Sequence, residues 1–103
     1  DWLILNCIEG SFIDKIEIST HHFKGNFPSH CSLQAAYLSS KSSKQIVNSS
    51  NKWKYLLKTT KLSSNKTHLF KNSLMKKEKV NHIRINIFPD GGISRFRIFG
   101  KKI

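Results

Sequence analysis

The stretch HIRINIFPDGGISRFRIFG, residues 82–100, constrains the fold more than any other part of the chain. Two runs of alternating apolar and polar residues flank Pro89-Asp90-Gly91-Gly92, and a period of two marks half-buried strands. Ile83, Ile85, Ile87, Phe96 and Ile98 fall on one face and predict core, while Arg84, Asn86, Arg95 and Arg97 fall on the other. Closed as a hairpin over the four-residue connection, the runs pair Asn86 with Arg95 and set Arg84 opposite Arg97. Like charges directly opposed in a sheet are destabilising by about 0.2–1 kcal/mol. Something negative is therefore expected to compensate. Asp14 or Glu17 on a neighbouring strand, or water, would do so. A bound carboxylate is the other answer, because guanidinium forks grip carboxylates in bidentate geometry. Pairing alone leaves both open.

The remaining strand signals are short and separated by turns. Trp2 to Ile8 is almost continuously apolar, as expected of a strand covered on both faces. Glu9-Gly10-Ser11 reads as a turn, after which Ile16 and Ile18 share a face against Lys15 and Glu17. Cys31 to Leu38 sets Leu33, Ala35 and Tyr37 opposite Ser32 and Gln34. Residues 53–57 and 67–70 are further short strands, and 70–80 has room for one loose helical turn. Residues 39–52, rich in Ser and Lys, read as a low-complexity exposed loop, disordered or nearly so. Many short strands, long loops and weak helical periodicity predict an antiparallel β-sandwich in a single domain, residues 1–103.

Composition excludes more than it assigns. No apolar run approaches the ~20 residues of a membrane span, and no signal sequence is visible, so no membrane partner and a cytoplasmic location are expected. The formal charge is +12, with no Asp or Glu between Ile18 and Lys77. Such a field favours anions. The lysines lie in Ser- and Asn-rich segments without interleaved aromatics, which argues against specific nucleic-acid binding. Cys7 and Cys31 are isolated in apolar stretches and read as small core residues, with a disulfide between them as the weaker alternative. Starting at Asp1-Trp2, the chain reads as part of a longer polypeptide.

Four ordered blocks resemble the allantoicase family. His82, Arg84, Asn86, Pro89, Asp90, Gly91, Gly92, Arg95, Arg97 and Gly100 match the signature that closes an allantoicase repeat. STHHFKGNFPSHCSLQAA is similar to the family's Asp-Thr-x-x-Phe-Thr/Lys-Gly-Asn-Phe/Tyr-Pro block and its sequel. DWLIL resembles a shared strand opening, and Trp53 to Leu57 resembles an intervening Trp-x-x-Leu-Leu. The resemblance implies a jelly-roll sandwich of the galactose-binding type, incomplete at its N-terminal side, and usually two repeats per polypeptide. It implies hydrolysis of allantoate to ureidoglycolate and urea in purine breakdown. A second repeat or a homo-oligomer is the expected partner. Three departures stand out: Ser19 replaces the family's Asp, the segment before Asp-Trp is missing, and a single repeat is present.

Chemistry distributes the candidate roles. Arg84, Arg95 and Arg97 suit the carboxylate of allantoate, and Asn86 or Gln34 its ureido groups. His82, on the arginine face, is the acid–base candidate by position. Asp90 is a second catalytic candidate, whose plain role is to bond its own backbone in the turn. His21, His22 and His30 share a loop region, but adjacent histidines in extended chain diverge, so no metal site is expected. The cofactor requirement is unknown.

Overall fold

The structure is a computed structural model describing residues 1–21, 25, 28–39, 42–75, 78–89 and 91–102, without the side chains of residues 7–9 and 102. Six strands form: β1 (Trp2–Ser19), β2 (His30–Ala36), β3 (Lys54–Lys61), β4 (Thr67–Phe70), β5 (Val80–Phe88) and β6 (Arg95–Lys102). A short helix, α1 (Ser43–Ser49), and a 3-10 turn (Ser50–Lys52) lie between β2 and β3. All pairings are antiparallel, in the order β3-β2-β5-β1-β4, with β6 also on β1.

The 18-residue β1 organises the sandwich. Its start, Trp2–Asn6, pairs with β5, while Ser11–Ser19 pairs with β6 and Ile16–Ser19 also with β4. Register shifts between Asn6 and Ser11, and between Ile13 and Lys15, let one strand serve both layers. The apolar faces meet in one core containing Ile16, Ile18, Leu33, Leu57 and Ile83, with Phe96 and Ile98 packed against it. The β-sandwich and the apolar face of Ile83, Ile85, Ile87, Phe96 and Ile98 are thus as the alternation predicts.

Four expectations need correction. The 82–100 stretch is not a hairpin: Ser11 of β1 pairs with Val80 of β5 and Lys102 of β6, so β1 runs between them. Arg84 and Arg97 therefore do not face each other. Glu9-Gly10-Ser11 is continuous strand, its irregularity absorbed as a shift of register. The opening of β1 is not covered on both faces, since Trp2 is 45% and Leu3 57% exposed. Residues 43–52, within the expected loop, are helical instead. Ser42 caps α1 by accepting from the Gln45 amide, and Trp53 Nε1 donates to Ser49 Oγ. Both anchors are local, but they depend on geometry that composition does not display.

Cys31 is a free thiol in the core, and burial pushes its pKa up to about 11. It is a packing residue, inert as a nucleophile near neutrality.

Candidate functional site

The structure divides the sequence-predicted residues into two groups. His82, Arg84 and Asn86 alternate along β5 and so share its outer face, where Gln34 of β2 lies in register with Arg84. The segment 42–53 covers this face. Asn86 Nδ2 donates to Ser32 Oγ and Gln34 Oε1, at 3.2 and 3.1 Å. Gln34 Nε2 in turn donates to the carbonyls of Asn51 and Trp53, both at 3.0 Å. Arg84 donates through Nε to Asn86 Oδ1 (2.9 Å) and through Nη1 to Ser50 Oγ (2.6 Å). Its guanidinium also stacks 4.6 Å from the centre of the Trp2 ring. His82, buried, bonds Asn81 Oδ1 through Nδ1 and meets Trp53 edge-on.

No buried side-chain polar atom among the described residues lacks a partner. This group is consumed in fastening the 42–53 segment onto the sheet. Removing Arg84 would leave Asn86 and Ser50 each short of a charged donor, a loss of about 1.5–3 kcal/mol for such bonds. Arg84→Ala is therefore expected to lower the unfolding free energy by about that amount in urea titration. An unchanged midpoint would show that the fastening contributes nothing.

The second group lies on β6. Arg97 is in register with Glu17 of β1, and their charged atoms are 3.9 Å apart across a partly exposed pair. Glu17 is thus the internal compensation foreseen for one arginine. Arg95 differs: in register with Ser19, it makes no ion pair with a described residue. Ser19 is also in register with Thr67 of β4, so the three residues lie side by side across three strands. With His21 and Ser94 they line an open cavity of about 370 Å³. Thr67 Oγ1 lies 3.0 Å from Ser19 Oγ and 2.9 Å from His21 Nε2. Ser94 donates both its amide and its hydroxyl to the Ser19 carbonyl, holding the approach to β6.

Ser94 and Arg95 also border a second cavity of about 370 Å³, which Asp1 lines too but whose walls are mostly apolar, from Leu3, Leu5, Ile85, Ile87, Ile93 and Phe96. The guanidinium thus stands between a hydroxyl- and imidazole-lined space and an apolar one. That arrangement suits a small acid carrying several hydrogen-bonding groups.

Asp90 and His22 lie outside the described residues. His30 is held by Ser29 Oγ at the start of β2. Among the described residues no group of three His, Cys, Asp or Glu is placed to hold a metal. Sequence reasoning missed Thr67 and Ser94, whose roles depend on register. Ser19 and His21 stood inside a quoted motif, but nothing local joined them to Arg95.

Comparison with known proteins bears on all 103 residues. The family model described as "Allantoicase repeat" matches residues 1–103. Proteins named probable allantoicase are similar: one from Acinetobacter baumannii (strain AYE) is 48% identical over 98% of this chain and 30% of its own length. Another, from Stutzerimonas stutzeri (strain A1501), is 44% identical over 100% of this chain and 31% of its own. Among solved structures, the allantoicase of Saccharomyces cerevisiae superposes with a TM-score of 0.77 at 29% identity, over 98% of this chain and 27% of that one. The chain thus spans about 30% of the length of the curated relatives it matches.

Proposed function

We propose, from the premise that this chain belongs to the allantoicase repeat family, that the longer protein carrying it hydrolyses allantoate to ureidoglycolate and urea, a C–N cleavage in a linear amidine. The observation that supports this most directly is Arg95, a guanidinium without an ionic partner among the described residues, at the edge of an open polar cavity. Arg95 takes the substrate carboxylate, and the hydroxyl of Ser19 bonds a ureido group, with Thr67 and Ser94 holding Ser19 in place. Gln34, His82, Arg84 and Asn86 support the site by fastening the sheet, rather than by touching substrate. Arg97 adds positive field beside Arg95. Asp90, five residues before Arg95 in the chain, remains the candidate base. The 103-residue chain alone is expected not to turn over. Urea release from allantoate by the full-length protein tests the reading, and none above background defeats it.

One observation favours a second reading, a module that binds without hydrolysis. The described lining of the hydroxyl cavity contains no carboxylate, and Ser19 stands where the family pattern has Asp. Calorimetric titration with allantoate separates the two: heat of binding without urea selects the module.

A second repeat is the proposed partner, docking on the open edge of β1. Because β5 and β6 occupy opposite sides of β1, the β6 side of Trp2–Asn6 has no strand among the described residues. Trp2 and Leu3 are exposed there, and residues 2–8 carry no charge to discourage pairing. The isolated chain should self-associate with rising concentration in sedimentation velocity, and Leu3→Lys should remove the effect. A monomer at all concentrations would refute an adhesive edge.

A further inference from the structure

Resting on the reading of Arg95 as the carboxylate anchor, we infer that Ser19, Thr67 and His21 form a proton relay serving the departing urea, with Ser19 the member that touches substrate. The geometry is a chain of three polar groups, His21 Nε2 to Thr67 Oγ1 at 2.9 Å and Thr67 Oγ1 to Ser19 Oγ at 3.0 Å. Each hydroxyl has one proton to donate and lone pairs to accept, so the chain runs in two senses. With hydrogen on Nε2, His21 donates to Thr67, Thr67 donates to Ser19, and the Ser19 proton is directed into the cavity. With Nε2 bare, the sense reverses and Ser19 offers a lone pair instead. Changing sense carries a proton between the imidazole and the cavity without moving a heavy atom.

Placement fits the task. Ser19 is nearly buried, and its register partners are Thr67 on one side and Arg95 on the other. An acid held by Arg95 therefore lies beside the hydroxyl that ends the relay. Hydrolysis forms a bond from water oxygen to the substrate carbon, breaks that carbon's bond to one ureido nitrogen, and moves one water proton to that nitrogen. Ser19 gives its proton to the nitrogen as the C–N bond breaks and is refilled through Thr67 from His21. The proton of the attacking water is taken by a base, for which Asp90 is the candidate, and returns through solvent to Nδ1 of the exposed His21 as Nε2 gives up its own, so the imidazole ends neutral and the cycle closes without an external acid.

The test uses the full-length protein and steady-state urea release. Thr67→Val keeps the shape of the side chain and removes the hydroxyl. It should lower kcat at least about tenfold, part of the usual effect of general acid catalysis, with KM within about twofold. Thr67→Ser restores the hydroxyl and should bring kcat back to within about threefold. Should Thr67→Val not fold, Ser19→Ala against Ser19→Thr carries the same contrast. A Thr67→Val enzyme with undiminished kcat, or a Thr67→Ser enzyme as slow as the valine variant, overturns the relay and leaves the assignment of activity standing. An unsubstituted protein that releases no urea overturns both together.

Discussion

Replacing Arg95 by Ala in the full-length protein is expected to reduce kcat/KM for allantoate about a hundredfold to ten-thousandfold, mostly through KM. Two charge-assisted bonds from a guanidinium fork to a carboxylate are each worth about 1.5–3 kcal/mol, and every 1.36 kcal/mol is a factor of ten. Arg95→Lys should recover only part of the loss, because an ammonium keeps the charge but not the fork. Arg97→Ala supplies the contrast. Its partner Glu17 is 3.9 Å away in a partly exposed pair, a class worth about 0.2–1 kcal/mol, so catalysis should change by only a few fold. Initial rates of urea release over a range of allantoate concentrations decide the matter. If Arg95→Ala stays within threefold of the unsubstituted enzyme, the carboxylate does not bind at Arg95.

This contrast between two arginines two residues apart shows what the sequence could carry. Alternation in residues 82–100 sorted the faces of β5 and β6 correctly, because side-chain direction follows from strand geometry within one segment. Partners are another matter. Pro-Asp-Gly-Gly between two alternating runs favours a hairpin locally, yet β1 runs between them, and pairing with β1 gives each strand an apolar neighbour. The continuity of β1 was hidden for the same reason. Gly10 looks like a turn residue until a shift of register is allowed to absorb it. β4 was legible to the residue, because Thr67 to Phe70 stands between loops on both sides. α1 was not, since its residues bury nothing, and the bonds from Gln34 and Arg84 hold the 3-10 turn and Trp53 that follow it. Arg95 was proposed as a ligand contact from chemistry alone. Thr67, adjacent only through register with Ser19, left no trace in the linear text.

Substitution of Gly100 by Ala is expected to remove about 2–4 kcal/mol of stability, close to the upper end for a single residue. Gly100 pairs with Ile13 where β1 slips register before Lys15. A Cβ there would run into the Phe12 carbonyl oxygen and stand 3.3 Å from Ile13 Cα. Both obstacles are backbone, so no rotamer change relieves them. β6 must move away from β1, loosening its ladder and the packing of Phe96 and Ile98 on the core. A domain of this size has only about 5–15 kcal/mol in total, so the loss is a large fraction. Thermal unfolding followed by circular dichroism should show a fall of at least about 8 °C, at about 4–8 °C per kcal/mol. Gly25→Ala is the control, because no described residue lies within 4 Å of a Cβ added there, and its midpoint should hold. Equal midpoints for the two variants would mean that β6 is free to shift. In that case the register of Arg95 beside Ser19, on which the anchor and the relay both depend, would no longer be fixed by the strand.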